Sequence, residues 1–170
     1  MNYFTSDLHL GHKAIVKYRS QFNTAEEHDE YWLQKMEKLG KRDILFVLGD
    51  FLFDGPNYDK YILRIRKMKV RIKLVFGNHD SLLLYKEVNQ KPQSPEGSIE
   101  LQLPLFSYKN TWISHCPIHP KELRNRRGCI HGHLHNSVLD DPNEVYFDVC
   151  PEKHNFEFVK WEEINEFYNK

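Results

Sequence analysis

Seven residues with metal-binding side chains follow five short apolar runs of the sequence. They are Asp7, His9, Asp50, Asn78, His115, His133 and His135. Together they offer three carboxylate or amide oxygens and four imidazoles, which exceeds the needs of one four-coordinate zinc. The same set suits two metals that share a bridging carboxylate. The residue types and their spacing therefore predict a dinuclear metal site.

The apolar runs before these residues are rich in Ile, Val and Phe, which favours β-strands. One glycine separates residues 44–48 from Asp50, and another separates residues 74–76 from Asn78. In open α/β sheets, ligands collect in the crevice beyond the carboxyl ends of the strands. We therefore expect the strands to direct the metal-binding side chains to one point.

Two pairs of these residues are spaced two positions apart. Alternate side chains of a strand point to the same side. On extended backbone, Asp7 with His9, and His133 with His135, are therefore expected to reach the metals together. Glycines in three of the blocks should let the chain turn tightly and bring its backbone close to the ions. They are Gly49, Gly77 and Gly132.

The five blocks of metal-binding residues occur in a specific order. This order is Asp-x-His, Gly-Asp, Gly-Asn-His-Asp, Ser-His and Gly-His-x-His. Over residues 3–159 it resembles the calcineurin-like metallophosphoesterases. The segments 6–12 and 146–149 are further similar to a subgroup of small bacterial and phage phosphoesterases. The resemblance implies an α/β fold, a two-sheet β-sandwich flanked by helices, with residues 1–170 forming a single domain.

The resemblance also implies a role for each residue of the set. One metal takes Asp7, His9 and His135, the other takes Asn78, His115 and His133, and Asp50 bridges them. His79 matches the candidate general acid of the family, and Asp80 would fix its tautomer and raise its basicity. A bridging hydroxide would attack phosphorus in line. The expected metals are divalent transition ions, with Mn²⁺ as the activator and Fe, Zn or Ni as alternatives.

The expected activity is hydrolysis of a phosphodiester bond in a nucleotide or another small phosphodiester. The same metals can hydrolyse a phosphomonoester, so a phosphomonoesterase is the closest alternative, followed by a nuclease that acts on oligonucleotides. A non-catalytic scaffold of the same fold is the alternative from another functional class. A scaffold should have lost metal ligands or His79, and the sequence retains them all.

Three further residues are candidates for substrate contacts. His12 lies three positions beyond His9, and it would either face the substrate or serve in capping and packing. Arg124 and Arg127 lie in the loop between the fourth and fifth blocks, where an arginine could bind a phosphate oxygen. The alternative for both is an ordinary solvated loop. The basic residues within 64–73 are expected to lie on a solvated face rather than to form a nucleic-acid patch.

Four other histidines are not assigned to the metals. His28 and His154 are expected to be surface or helix residues, and His119 to be exposed in a loop. His131 should point to the face opposite His133, where it would be structural or support a ligand from behind.

Composition agrees with a compact intracellular enzyme. At 170 residues the chain is long enough for one sizeable core and too short for two ordinary domains. The formal charge is zero, from 24 basic and 24 acidic side chains, so net charge does not indicate a nucleic-acid partner. Three cysteines without a C-x-x-C pair favour reduced thiols, and no segment resembles a signal peptide or a transmembrane run. We expect a cytoplasmic protein that acts on a small phosphate ester and does not bind a membrane.

Periodicity and turn residues predict the remaining elements. A capping box at Thr24 should begin a helix that stops at Gly40, and a second helix is expected over residues 58–68. Residues 89–97 are predicted to form a surface loop. The other predicted elements are a hairpin of strands 99–106 and 109–114 with Pro104 at an edge or bulge, strands over 144–149 and 156–159, and a helix over 161–168.

Overall fold

Nine strands form two sheets in the part of the chain that the structure describes. The structure is a computed structural model, and it describes residues 1–90 and 98–170. In chain order the strands are β1 (Asn2–Thr5), β2 (Ile44–Leu48), β3 (Arg71–Val75), β4 (Ile99–Leu101), β5 (Leu105–Tyr108), β6 (Thr111–Ser114), β7 (Cys129–His131), β8 (Tyr146–Asp148) and β9 (Val159–Lys160). The strand order is β4-β3-β2-β1-β9 in the first sheet and β5-β6-β7-β8 in the second. Neighbouring strands are parallel, except that β9 and β5 pair antiparallel with β1 and β6.

Four helices flank these sheets in the described residues. In chain order they are α1 (Ala25–Glu37), α2 (Tyr58–Arg66), α3 (Leu82–Gln90) and α4 (Trp161–Phe167). The first three bury apolar side chains against one face of the first sheet, as Trp32, Ile62 and Leu84 do. The fold class that the sequence predicts is confirmed. Among residues 1–90 and 98–170, no helix has the length and apolar character that a membrane span requires.

Strand β2 separates two apolar clusters. Its residues Leu45 and Val47 belong to the cluster with the helices, whereas Phe46 and Leu48 belong to the cluster between the sheets. Phe46 stacks on Phe4 of the neighbouring strand, with ring centroids 4.6 Å apart. A strand that is buried on both faces is apolar throughout rather than alternating, which explains the unbroken run from residue 44 to 48.

Helix α1 begins at the predicted cap. Thr24 Oγ1 accepts a hydrogen bond from Glu27 N at 3.1 Å, which satisfies one of the free N–H groups of the first turn. In a capping box the Glu27 carboxylate would accept a hydrogen bond from Thr24 N. Here it accepts instead from Asn23 N at 2.8 Å, one residue earlier in the chain. The helix ends at Glu37, before the predicted stop at Gly40.

The predicted strand over residues 99–106 is wrong, because the chain changes sheets within it. β4 pairs with β3 in the first sheet, whereas β5 pairs with β6 in the second. Pro104 lies between β4 and β5, where its missing N–H costs no ladder bond. The hairpin itself is confirmed for β5 and β6, with Lys109 and Asn110 in the left-handed region at φ 45° and 65°.

Several boundaries also differ from the prediction. α2 ends at Arg66 rather than at residue 68, and β9 begins only at Val159. α3 was not predicted, and it includes residues 89 and 90 of the expected loop. The rest of that loop prediction, residues 91–97, lies outside the described residues. The terminal helix is confirmed as α4.

Candidate metal centre

The metal-binding side chains follow the carboxyl ends of strands from both sheets. Asp7, Asp50 and Asn78 come after β1, β2 and β3 of the first sheet. His115 and His133 come after β6 and β7 of the second sheet. The ends of these parallel strands meet at one edge of the sandwich, so residues far apart in sequence are brought together.

The spacing of Asp7 with His9, and of His133 with His135, predicts extended backbone, and the structure contradicts this expectation at all four residues. Their φ angles are 51° for Asp7, 49° for His9, 72° for His133 and 50° for His135, and Asp50 has a similar φ of 52°. The left-handed conformation costs roughly 1–2 kcal/mol for a residue with a side chain. It persists where the surrounding structure determines it, and such residues cluster at functional sites. The turns that place the ligands are therefore strained.

One group of donor atoms gathers around Asp7. Its Oδ1 lies 3.9 Å from His9 Nε2 and 3.6 Å from His135 Nε2. Asp50 Oδ2 lies 3.8 Å from the same His9 nitrogen. Atoms bound to one ion at about 2.0–2.2 Å lie roughly 3–3.5 Å apart, so small movements would fit this group around a cation. We call Asp7, His9, His135 and Asp50 the first ligand set.

A second group gathers around His115. Its Nε2 lies 3.0 Å from Asn78 Oδ1 and 3.2 Å from His133 Nδ1. Asp50 Oδ1 lies 3.7 Å from the same nitrogen, so Asp50 turns one oxygen to each group. The exposed thiol of Cys116 adjoins the two imidazoles and was not singled out from the sequence. We call Asn78, His115, His133 and Asp50 the second ligand set.

Two observations show that the first ligand set suits a cation. Asp7 Oδ1 is buried without a hydrogen-bond partner in the described residues, although it faces two imidazole nitrogens. The other oxygen, Oδ2, accepts from His133 N at 2.8 Å. Burial, Arg19 and nearby imidazoles lower the pKa of His9 to about 2. The His9 ring is therefore neutral at ordinary pH, as a metal ligand must be.

His115 is oriented by the backbone of the first sheet. Its Nδ1 lies 2.7 Å from Leu48 O. Because a carbonyl oxygen only accepts hydrogen bonds, Nδ1 must carry the proton. In the neutral ring the lone pair is then on Nε2, the nitrogen that faces Asn78 and His133.

The carboxylate of Asp80 was predicted to orient His79, but it binds backbone N–H groups instead. It accepts hydrogen bonds from Asp50 N at 2.9 Å, from Phe51 N at 2.8 Å and from Gly77 N at 2.8 Å. Burial raises the pKa of Asp80 to about 6, while these hydrogen bonds favour its charged form. Asp80 therefore ties together the two loops that follow β2 and β3.

Two of the predicted glycines allow ligand side chains to approach the backbone. A Cβ at Gly77 would overlap the Asp50 carboxylate, and a Cβ at Gly49 would overlap the His115 ring. Gly49 also has a φ of 90°, which other residues rarely adopt. These glycines are needed for the close packing of the ligands themselves.

A cavity of about 430 Å³ adjoins the first ligand set. Its wall includes His9, His12, Tyr18, His79 and His135. The His12 ring stacks on Phe53 with centroids 4.4 Å apart, and Phe53 in turn lies 5.5 Å from the His79 ring. His12 thus packs on its neighbour and also faces the cavity. A cavity of this size is typical of small-molecule sites.

The other four histidines lie outside both ligand sets. His28 and His131 are buried, His119 is exposed and His154 is half-buried. His28 lies within α1, so it is a helix residue but not a surface one. His131 and His154 each donate a ring N–H to a backbone carbonyl, which is a structural role.

Neither Arg124 nor Arg127 is among the described residues that line the cavity. Arg127 donates to Asn165 Oδ1 at 3.3 Å and to Asn169 Oδ1 at 3.1 Å. It also donates to Lys109 O at 3.2 Å. Arg127 therefore joins the C-terminal segment to the β5–β6 turn. These contacts argue against the substrate role that the sequence suggested for it.

We expect Arg127→Ala to lower the free energy of unfolding by about 1–3 kcal/mol, because it removes charge-assisted hydrogen bonds. The KM and kcat of the folded variant should stay unchanged. Denaturant unfolding and steady-state kinetics with a phosphodiester measure both quantities. Arg124→Ala is the matched control, since Arg124 is exposed and, among residues 1–90 and 98–170, pairs only with exposed Glu122. A raised KM in folded Arg127→Ala would restore the substrate role.

The basic residues within 64–73 are partly neutralised by acidic neighbours. Arg64 lies 2.6 Å from Glu30 and 2.7 Å from Glu37, and Arg66 lies 3.4 Å from Glu87. This pairing agrees with the predicted solvated face.

Cys150 and Glu152 adjoin the first ligand set, although the sequence did not single them out. The Cys150 thiol lies 3.4 Å from Asp7 Oδ2 and accepts from His135 N at 3.2 Å. Glu152 Oε1 lies 3.1 Å from His135 Nδ1. Both residues follow β8. Their position just beyond a predicted strand, which they share with the ligands, is the sequence feature that could have identified them.

Comparisons with known proteins agree with this site. The family model described as calcineurin-like phosphoesterase matches residues 3–167. The chain is 26% identical to the Gene 66 protein of Mycobacterium phage D29 over 171 residues, with 85% of each protein covered. It is 35% identical over 80 residues to the Gene 66 protein of Mycobacterium phage L5, covering 46% of this chain and 39% of the relative.

Two further matches concern a nucleotide enzyme and a solved structure. The chain is 31% identical over 80 residues to a symmetrical bis(5'-nucleosyl)-tetraphosphatase of Wigglesworthia glossinidia brevipalpis, covering 46% of this chain and 29% of the relative. It thus spans less than half the length of that enzyme and of the L5 protein. A protein of unknown function from Aquifex aeolicus has the same fold, with a TM-score of 0.71, 22% identity and 98% of each chain covered.

The family match covers nearly the whole chain, and the metal-binding side chains converge at the strand ends. This chain therefore belongs to the calcineurin-like phosphoesterase family.

Proposed function

We propose that this protein is a metal-dependent phosphodiesterase that acts on a nucleotide or another small phosphodiester. The position of Asp50 carries the proposal, because it turns Oδ2 to the first ligand set and Oδ1 to the second. A carboxylate shared in this way suits two adjacent cations. In this proposal residues 1–170 form one domain, and the three free cysteines support a cytoplasmic location.

The two ligand sets would hold two divalent transition metals. Asp7, His9 and His135 would hold one, Asn78, His115 and His133 the other, and Asp50 would bind both. When bound, the metals would supply Lewis-acid charge to the phosphate and acidify the attacking water. Mixed oxygen and nitrogen donors do not select one metal. We propose Mn²⁺ as the activator in vitro, with Fe, Zn or Ni as alternatives.

His79 is proposed to protonate the departing oxygen. Its exposed ring faces the cavity beside the first ligand set, 5.6 Å from the His9 ring. Backbone N–H groups take up the Asp80 carboxylate, and the His79 ring instead packs on Phe53 and on His9. An exposed imidazole can exchange its proton with solvent between turnovers.

A small ester suits the site better than an oligonucleotide. The cavity of about 430 Å³ has room for a small organic group beside the phosphate. Arg124 and Arg127, which would have formed a basic groove for a longer strand, are directed elsewhere. The similarity to a nucleosyl tetraphosphatase supports a nucleotide as the substrate. A phosphomonoesterase stays the closest alternative, since the same ligand sets serve either ester.

Metal removal and reloading test the proposed function. We expect protein stripped by a chelator to be inactive, and protein reloaded with Mn²⁺ to hold two metals per chain by elemental analysis. The reloaded protein should hydrolyse bis(p-nitrophenyl) phosphate faster than p-nitrophenyl phosphate. Activity that survives complete chelation would contradict the proposal. Faster cleavage of the monoester would favour a phosphomonoesterase, and faster cleavage of single-stranded oligonucleotides would favour a nuclease.

A further inference from the structure

Glu152 contacts the first ligand set through His135, at the ring nitrogen that does not face Asp7. This residue lies in the 3-10 turn Pro151–Lys153, and its side chain is only 8% exposed. Its Oε1 lies 3.1 Å from His135 Nδ1, and a carboxylate oxygen accepts the proton on that nitrogen. In the neutral ring the lone pair of His135 is then on Nε2, which lies 3.6 Å from Asp7 Oδ1. A carboxylate behind an imidazole fixes both the tautomer and the direction of a metal ligand.

Arg19 holds Glu152 in this position. Its Nε and Nη2 lie 2.9 Å and 2.8 Å from Glu152 Oε1, and the Arg19 side chain is fully buried. Nη2 also donates to Asp7 O at 2.7 Å. One guanidinium therefore connects Glu152 to the strained turn that carries Asp7. Such charge-assisted hydrogen bonds are short and directional.

Helix α1 fixes Arg19 in turn. His28 Nε2 lies 2.9 Å from Arg19 Nη1 and 3.1 Å from Trp32 Nε1. Both neighbours only donate, so His28 Nε2 must accept and His28 Nδ1 must carry the proton. That proton faces Asp29 Oδ1 at 2.9 Å, and burial lowers the pKa of His28, in agreement with a neutral ring. The chain of contacts from α1 to His135 thus has one consistent set of proton positions.

We propose that Glu152, held by Arg19, is a positioning residue that directs His135 Nε2 at the first metal and thereby sets the affinity of that metal. This inference rests on the proposed metal site, and it assigns a role to two residues that lie outside both ligand sets. Loss of the contact would leave His135 free to rotate or to change tautomer. The second ligand set, oriented by Leu48 O, would be unaffected.

Calorimetric titration of the metal-free protein with Mn²⁺ tests the inference. In wild type we expect two binding steps. In Glu152→Gln, which keeps the size but loses the charge, one step should weaken about 10- to 100-fold while the other changes less than about twofold. Glu37→Gln is the matched control, because Glu37 also pairs with an arginine, Arg64, and belongs to neither ligand set. Its two steps should match those of wild type.

Each other result has a separate meaning. If wild type does not bind two metals, the proposed function fails. If wild type binds two and both steps persist in Glu152→Gln, only the positioning role fails, even where thermal stability drops. A higher KM with unchanged metal binding would make Glu152 a substrate contact instead.

A second measurement covers the case in which Glu152→Gln does not fold. In Zn²⁺-loaded wild type, long-range ¹H–¹⁵N spectra should show His135 protonated at Nδ1 and metal-bound through Nε2. The opposite arrangement would overturn the proposal without any variant.

Discussion

Asp50→Asn is expected to lower kcat/KM by more than about 100-fold. Mutation of a residue that only hydrogen-bonds to a metal ligand already lowers metal affinity or activity by about 10- to 100-fold. The reason is geometric, because Asp50 faces His9 with one oxygen and His115 with the other. An amide replaces one of those oxygens by NH2, which cannot bind a cation. Both metals should therefore bind more weakly.

Elemental analysis and steady-state kinetics with bis(p-nitrophenyl) phosphate measure this result. Asp54→Asn is the control, because Asp54 is an exposed carboxylate in the same loop and belongs to neither ligand set. It should retain two metals and wild-type rates. Full metal content and activity in Asp50→Asn would contradict the shared ligand.

His79→Ala is expected to lose about 10²- to 10⁴-fold in rate on substrates with a basic alkoxide leaving group, the usual contribution of a general acid. On a p-nitrophenyl ester the loss should be small, since p-nitrophenolate leaves without a proton. Metal content should persist, because Asn78 and not His79 belongs to the second ligand set. The rate of the variant should thus fall more steeply as leaving-group basicity rises.

Kinetics on a series of esters with increasing leaving-group pKa test this slope. His119→Ala is the control, since His119 is an exposed histidine outside both ligand sets, and its ring accepts from the backbone N–H of Lys121. An equal loss on all esters would instead assign His79 to phosphate positioning. Loss of metal would make His79 a ligand.

The convergence of the donor atoms could be predicted because it depends on strand ends. Residues 44–48 are apolar throughout since both faces of β2 are buried, and that run identifies a central strand in any α/β sheet. The left-handed turns at Asp7 and His133 could not be predicted. Spacing of two suggests extended backbone, and only the surrounding structure stabilises the strained alternative.

Contacts across the fold were the least predictable part. Asp80 follows His79 in sequence, yet its carboxylate bonds to the backbone of another loop. Arg127 lies between two ligand blocks, yet it bonds to the C-terminal segment. Glu152 is distant in sequence from Arg19 and meets it in the buried interior. Closeness along the chain was a poor guide to all three, because side-chain partners are set by packing of the sheets.

The two sheets contribute different ligands to the same centre, with Asp7, Asp50 and Asn78 from one and His115 and His133 from the other. In the proposed function, metal binding would therefore fasten the sheets together at this edge and would add to the stability of the fold by mass action. Each site would add about 2.7 kcal/mol when free metal is a hundred times its dissociation constant. Removal of metal would then lower the stability of the fold as well as the activity.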